Sequence, residues 1–348
     1  MQSSELKQLL LNYRMATASF EIPLVAASIS QSFADDAVIN LCHPFGPQDG
    51  AAAFLENCLL PLHQAMPDLE RRDMILLAGT TAEGQDWIGC MGNYMGTFLA
   101  PFLDIPPTGQ LAHMRYHEYF RVENEKVVEV QAIWDIPELM MQADAWPMAP
   151  QLGARICTPA PMTCDGLSAS GDGSRAMKRV TAMLDELGKH PSNPDPSVMK
   201  LESFWHPQFN WYGPAGIGTA RGIRGFRNWH QIPFLRAMPD RGLDEQVELT
   251  SHWIAEGDYV CETGWPNMSM TLSDDGWMGV APSGRKLTLR SLDFWRLEND
   301  LIRENWVLVD LLDFYQQVGV DVLGRLREFN KARNLQAIPQ SDVMTSSR

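Results

Sequence analysis

The chain has 348 residues, 45% of them hydrophobic and 20% charged, the balance of a soluble globular protein and not of a disordered one. Its formal net charge of −15 disfavours nucleic acid and anionic membranes as partners, because their phosphates would be repelled. There is no apolar run long enough for a spanning helix, and the opening MQSSELKQLLLNYR lacks the unbroken apolar core of a signal peptide, so the expected compartment is the cytoplasm.

The length predicts two domains, and blocks met along the chain agree. Ala65-Met66-Pro67-Asp68, Ala82-Glu83-Gly84, Pro107-Thr108-Gly109 and RYHEYFRVENEKVVEVQAIWD from Arg115 come first. They return in the same order as Ala237-Met238-Pro239-Asp240, Ala255-Glu256-Gly257, Pro282-Ser283-Gly284 and RSLDFWRLENDLIRENWVLVD from Arg290. The offset drifts from 172 to 175 residues, as small loop insertions would produce. A tandem duplication follows, with domains over 1–145 and 175–330. Residues 146–174, rich in Pro, Gly, Ser and Ala, read as a linker, and 331–348 as a frayed polar tail.

Within the second copy, apolar residues at helical spacing predict a helix over 175–187, with Met177, Val180, Met183, Leu184 and Leu187 on one face. Further helices are expected over 198–205 and 222–237, the last ended by Pro239. Strands follow over 246–254, 259–271, 287–297 and 301–310, separated by turn residues. Helices first and an antiparallel meander after them make an α+β layout, the sheet curving around a pocket.

The second copy carries Gly279-Val280-Ala281-Pro282-Ser283-Gly284, then Trp295-Arg296, then Glu304-x-Trp306-x-x-x-Asp310. The first carries Ile105-Pro106-Pro107-Thr108-Gly109, Phe120-Arg121 and Glu129-x-Gln131-x-x-x-Asp135. This order of motifs resembles the SnoaL-like polyketide cyclase family of the nuclear transport factor 2-like superfamily. The resemblance implies two tandem cone-shaped domains, each a curved antiparallel sheet packed by N-terminal helices. It also implies ring closure by aldol chemistry without metal or organic cofactor, a carboxylate removing a proton beside a carbonyl and a histidine polarising the carbonyl oxygen. On that pattern the base would fall at Ala132 and Val307, and the histidine at Glu118 and Asp293. The dyad of the family is therefore absent from both copies.

Asp293 shares a strand face with Leu287, Leu289 and Ser291. Apolar surroundings would raise its pKa and suit it to act as a general base; the alternative is an edge-strand surface charge. Glu304, Trp306, Leu308 and Asp310 share one face of the last strand, with Arg303, Asn305, Val307 and Val309 on the other. Glu304 and Asp310 read either as pocket carboxylates or, preferably, as a salt bridge to Arg296 and a helix cap. His252 is the preferred acid–base histidine, against a satisfied core histidine. Trp211, Tyr212, Trp229, Trp253, Trp265, Trp295 and Trp306 are expected to wall a pocket for a small hydrophobic ligand, against a large aromatic core. His113-x-x-x-His117 falls on a strand, where that spacing separates the rings too far for a metal. The six cysteines form no C-x-x-C pair and read as buried, unreactive thiols. Gly213-Pro214-Ala215-Gly216-Ile217-Gly218 matches no phosphate-binding motif and reads as a loop at the pocket mouth.

The stretch of the first copy corresponding to His252, LLAGTTAEG, has neither histidine nor tryptophan. An active pocket is therefore expected in the second domain, with the first mimicking the other half of a homodimer; pairing of whole chains stays open. The leading expectation is cofactor-free acid–base chemistry on a small hydrophobic carbonyl compound. Asp293 would be the base, His252 the polarising group, Asp310 a further carboxylate and Trp306 a wall. The alternative is a hydrophobic-ligand-binding or scaffold protein.

Overall fold

The computed structural model describes residues 1–190, 193, 195–243, 246–331 and 338–339. Apart from 331, 338 and 339, the tail expected from 331 to 348 lies outside the described residues.

Each half opens with helix, places two strands before a further helical segment, continues with four strands and closes with helix. Ser3–Leu9, Leu11–Ser19 and Ile22–Ser32 open the first, and Ser174–Leu187 the second. The last of these turns Ala176, Val180 and Met183 inward, a stripe along one helical face. The strands of the first half are β1 (Phe33–Leu41), β2 (Pro47–Asp49), β3 (Glu70–Thr80), β4 (Asp86–Thr97), β5 (Leu111–Glu123) and β6 (Lys126–Trp134). Those of the second are β7 (Trp205–Tyr212), β8 (Thr219–Arg221), β9 (Ser251–Glu256), β10 (Tyr259–Thr271), β11 (Lys286–Glu298) and β12 (Leu301–Val309). The sheet orders are β2-β1-β6-β5-β4-β3 and β8-β7-β12-β11-β10-β9, the same topology twice.

The sheets are mixed, which corrects the expected antiparallel meander. Four strands of each half do form that meander, but β1 runs parallel to β6 and β7 parallel to β12. The helix expected over 198–205 shrinks to a 3-10 turn, Pro196–Met199, and one α turn, Leu201–Phe204. From Trp205 the chain is strand, burying Trp205, Phe209 and Trp211. Pro207 hides this in the sequence, since proline cannot donate to a ladder. It lies where the β7–β12 register shifts between its pairs at Trp205 and Asn210, a bulge that needs no donor there.

The helix expected over 222–237 forms as Gly222–Phe226, a π turn at Arg227–Gln231, and Ile232–Ala237. The first half repeats this at Gly50–Phe54, Leu55–Leu59 and Leu60–Ala65. Pro61 and Pro233 follow the two π turns. A proline inside a helix removes one donor and crowds the preceding turn, and widening that turn relieves the clash. The β5–β6 and β11–β12 hairpins turn on Asn124-Glu125 and Asn299-Asp300, all four at positive φ, the backbone of a two-residue turn matched to strand twist. Helices Ile136–Gln142, Leu311–Gln317 and Val322–Phe329, which periodicity did not reveal, follow the last strands.

The two halves meet through the strand faces opposite those that turn inward. His117 Nδ1 donates to the Leu292 carbonyl at 2.7 Å and Tyr119 Oη to the Asp293 carbonyl at 2.8 Å. Thr263 Oγ1 donates to Gln131 Oε1 at 2.6 Å. Asp135 accepts from the Ala215 amide at 2.9 Å, while Asp310 accepts from the His43 amide at 3.0 Å. These last two contacts are reciprocal under the sequence repeat, as in a two-fold interface. The linker binds across the second half: Trp306 Nε1 donates to the Pro159 carbonyl at 3.1 Å, and the Met162 amide to Glu304.

Candidate active site in the second domain

On the concave side of the second sheet lies a cavity of about 360 Å³. Its floor is β11 and β12, which contribute Leu289, Ser291, Asp293 and Trp295, then Asn305, Val307 and Val309. Each set is one face of an alternating strand. β10 adds Glu262 and Met268; the helix Ser174–Leu187 adds Met183, Leu184 and Leu187. The π turn supplies His230 and Gln231, and Trp205, Trp211, Phe226 and Trp277 complete the aromatic wall.

Two carboxylates stand in this apolar enclosure. Glu262 and Asp293 are direct partners across the β10–β11 ladder, so both project from one face with Cβ atoms about 5 Å apart. Each is 8% exposed. Burial pushes Asp293 up to about 7, against the opposing hydrogen bonds of Ser291 and Asn305 and the charge of Arg115. Burial, with the Asp293 charge added, pushes Glu262 up to about 8; hydrogen bonds from Asn267 and Ser251 work the other way. Two adjacent carboxyls in such a site do not both ionise readily, so the pair holds a proton near neutrality. Such a pair can accept a proton through one member and donate a hydrogen bond from the other.

His230 stacks on Trp211 with ring centroids 4.0 Å apart and planes 11° from parallel. Burial, helped by the charge of Arg241, pushes its pKa down to about 3, so the ring is neutral at physiological pH. Its Nδ1 has no hydrogen-bond partner among the described residues.

Around the equivalent carboxylate of the first sheet, described side chains fill the space. Glu118, which stands where Asp293 does, is fully buried and pairs with Arg71 at 2.5 Å. Tyr94 Oη and Trp134 Nε1 also donate to it, at 2.8 and 2.9 Å. Three of the surrounding side chains have smaller or more flexible counterparts across the repeat: Tyr116 becomes Ser291, Trp134 becomes Val309 and Tyr94 becomes Met268. The second cavity is the space those rings would fill.

Of the residues singled out in the sequence, Asp293, Trp211 and Trp295 line the cavity. His252 is not brought to it: its ring stacks on Trp87 of the first half at 4.7 Å. Asp310 caps the helix Leu311–Gln317, accepting from the Asp313 amide at 3.2 Å, and pairs with Arg290 at 3.1 Å. Glu304 is bound to Arg296 at 2.6 Å. These two carboxylates take the salt-bridge and capping roles preferred above, and the cavity uses the other face of β12. Trp306 stacks on Tyr212, away from the cavity lining. Trp253 stacks on Trp295 at 5.7 Å, and Trp265 lies under Arg290 at 4.7 Å. Trp229 is half exposed, beside a surface groove with Arg236 and Asp275. Cys157 and Cys164 are exposed, correcting the expectation that all six thiols are buried.

Glu262 and His230 were missed as site residues. Glu262 carried a signal, since the repeat alignment places it opposite Asp293, where the first half has Cys90 opposite Glu118. His230 carried none beyond its neighbouring Trp229, because the π turn decides where it points.

The fold and the site define a duplicated α+β protein whose helices and mixed sheet enclose a cavity in the second copy. Residues 25–143 and 195–318 both match the model of the SnoaL-like polyketide cyclase family, and the chain belongs to that family. Among solved structures it is similar to IdmH from Streptomyces antibioticus, with 20% identity and a TM-score of 0.34 over 40% of this chain and 99% of IdmH. A SnoaL-like polyketide cyclase from Agrobacterium tumefaciens strain C58 is 20% identical, with a TM-score of 0.32 over 41% of this chain and 98% of its own. AclR from Streptomyces galilaeus is 18% identical, with a TM-score of 0.35 over 41% and 98%. No curated protein matches the chain. Among the described residues, no helix is long and apolar enough to cross a membrane, and no group of three or more His, Cys, Asp or Glu could hold a metal ion.

Proposed function

We propose that the chain is a cofactor-independent acid–base enzyme that acts on a flat, largely apolar carbonyl compound in the second domain. The observation that carries this is the Glu262–Asp293 pair, buried side by side in an aromatic-walled cavity of about 360 Å³. Asp293, which faces the cavity from β11 beside Ser291, removes a proton next to the substrate carbonyl. The protonated Glu262 carboxyl donates a hydrogen bond to the carbonyl oxygen as enolate charge develops there. Neutral His230, with a free ring nitrogen, orients a polar substituent, and Trp211, Trp277 and Trp295 hold the ring system. Ring closure by aldol addition and double-bond isomerisation both begin with this proton removal.

The filled interior around Glu118 supports a structural role for the first domain. Its contacts with the second support an intramolecular pseudo-dimer standing in for the two halves of a homodimer. The family's base position holds Val307, directly opposite Asp293 across β11–β12. The carboxylates have thus moved one and two strands along the same floor.

The shared first step is tested without knowing the natural substrate. Wild-type protein is expected to accelerate exchange of the α-protons of 2-tetralone with D₂O. Asp293→Asn is expected to lower that rate by about 100-fold or more, the usual contribution of a general base, and Glu262→Gln to lower it less. Exchange no faster than in buffer would favour a binding or scaffold protein. Exchange unaltered by Asp293→Asn would remove Asp293 from the chemistry.

A further inference from the structure

The aromatic cavity has a second polar end, at its mouth. Gly242 and Leu243, both exposed, form part of its rim, and Arg241 before them lines the cavity as well. The backbone there is pinned on both sides. Asp240 Oδ1 accepts from the Thr271 amide at 2.8 Å, and the Gly242 amide donates to the Ser269 carbonyl at 2.8 Å. The chain at Arg241 is thus fixed to β10.

The half-buried guanidinium held there is little used. Of its five N–H donors, one reaches a described partner: Nη2 donates to the Leu187 carbonyl at 3.4 Å, longer than an ordinary N–H···O bond. Its Cζ lies 5.8 Å from the Phe234 ring centroid, and the His230 ring lies 5.6 Å from the same centroid. Burial pulls the pKa of Arg241 down, and no described carboxylate is set against that effect.

The repeat supplies an independent comparison. The offset of 172 residues that relates Ala65-Met66-Pro67-Asp68 to Ala237-Met238-Pro239-Asp240 sets Arg241 against Leu69 and His230 against Cys58. Leu69 is 1% exposed and Cys58 fully buried, both in the core. Where the interior is filled these positions are apolar; where it is hollow they carry a cation and an imidazole. A cation beside Phe234 with no counter-charge loses hydration, and an anion bound in the cavity would offset that cost.

The two polar ends are well separated. Ser269 faces Thr288 across the β10–β11 ladder, and Asp293 stands five residues further along β11, about 17 Å at the rise of a strand. The Arg241 side chain closes part of that span and leaves room for a ring system between guanidinium and carboxyls.

We infer that Arg241 selects a substrate bearing a carboxylate at the end remote from the reacting carbonyl. This rests on the reading of the cavity as the substrate site. The planar fork of a guanidinium matches the two oxygens of a carboxylate. One cation among apolar side chains suits one negative charge, whereas a phosphate dianion would bring charge that nothing there balances.

The test compares 6-carboxy-2-tetralone with its methyl ester, which keeps the rings and the ketone but not the charge. Binding to the intact protein at pH 7 is measured by calorimetry. The acid is expected to bind at least tenfold more tightly than the ester, with the gap narrowing as salt is added. Arg241→Leu, which installs the residue of the first half, is expected to abolish the preference by weakening the acid. Arg241→Lys keeps the charge without the fork and is expected to retain part of it. Equal affinity for acid and ester in the wild type would overturn the inference, as would no binding of the acid or a preference that survives Arg241→Leu. The wild-type comparison is decisive even if a variant folds poorly. Binding and α-proton exchange are separate readouts: Arg241-dependent binding of the acid without exchange would uphold this inference and remove the acid–base reading instead.

Discussion

At the scale of single residues, one cavity and one solid core come from the same framework by a few exchanges. Tyr116, Trp134 and Tyr94 close around Glu118; Ser291, Val309 and Met268 leave room around Asp293. Val309→Trp should restore the missing ring, so 2-tetralone binding is expected to weaken at least tenfold by calorimetry while the circular dichroism spectrum is kept. The carboxylate pair also taxes stability. With Asp293 raised to about 7 and Glu262 to about 8, the folded state keeps protons that the unfolded chain releases from about pH 4 upward. Their stabilising contribution is therefore complete below the unfolded pKa values and is lost as pH rises through 7 and 8. Asp293→Asn removes one of these groups and relieves the other. It is expected to be more stable than wild type at pH 8, on the order of 2 kcal/mol, with little difference at pH 4.5. Urea midpoints at the two pH values measure this. Asp135 and Asp310, also raised to about 7, titrate in the same window, so the difference between variant and wild type is the quantity to compare.

At the scale of elements, strand alternation divides the labour. On β11 the odd residues Leu289, Ser291, Asp293 and Trp295 face the cavity, while Leu292 and Asp293 lend carbonyls to His117 and Tyr119 of the first half. A one-residue slip would exchange the two surfaces, so the register needs pinning. The tight hairpins pin it, at a cost: Glu125 and Asp300 hold φ of 61° and 65°, where side chains other than glycine are strained. Glu125→Gly completes an Asn-Gly turn and should stabilise the protein by about 0.5–1 kcal/mol, read as a higher urea midpoint. Alanine at the same position should give no such gain.

At the scale of the molecule, the two halves share one buried guanidinium. Arg115, from the first half, donates to the carbonyls of Tyr212 at 2.9 Å, Gly213 at 2.8 Å and Val307 at 3.0 Å in the second. Its repeat partner Arg290 keeps the pairing with the equivalent carboxylate, Asp310, but covers Trp265 in place of the three carbonyls, so here the two-fold likeness breaks. Arg115→Ala would strand three carbonyls and leave Asp135 without its charge partner at 3.6 Å. Losses of this kind cost about 3–5 kcal/mol. The wild type is expected to unfold in one calorimetric transition, and Arg115→Ala at a much lower temperature.

The sequence by itself determined the duplication, the α+β class, the meander of four strands and the candidacy of Asp293. Each rests on local signals: repeated blocks, a period of 3.6 or 2, and turn residues. Only the tertiary structure decided the rest. The parallel strands β1 and β7 pair with residues roughly a hundred positions away, and no local period records a partner. Alternation showed which residues of β12 share a face but not which face is concave, so Glu304 and Asp310 were weighed where Asn305, Val307 and Val309 belong. His252 and Glu262 differ for the same reason. Both lie on strands, but one is covered by Trp87 of the other half and the other stands beside a second carboxylate, and such neighbours are chosen by packing between distant segments.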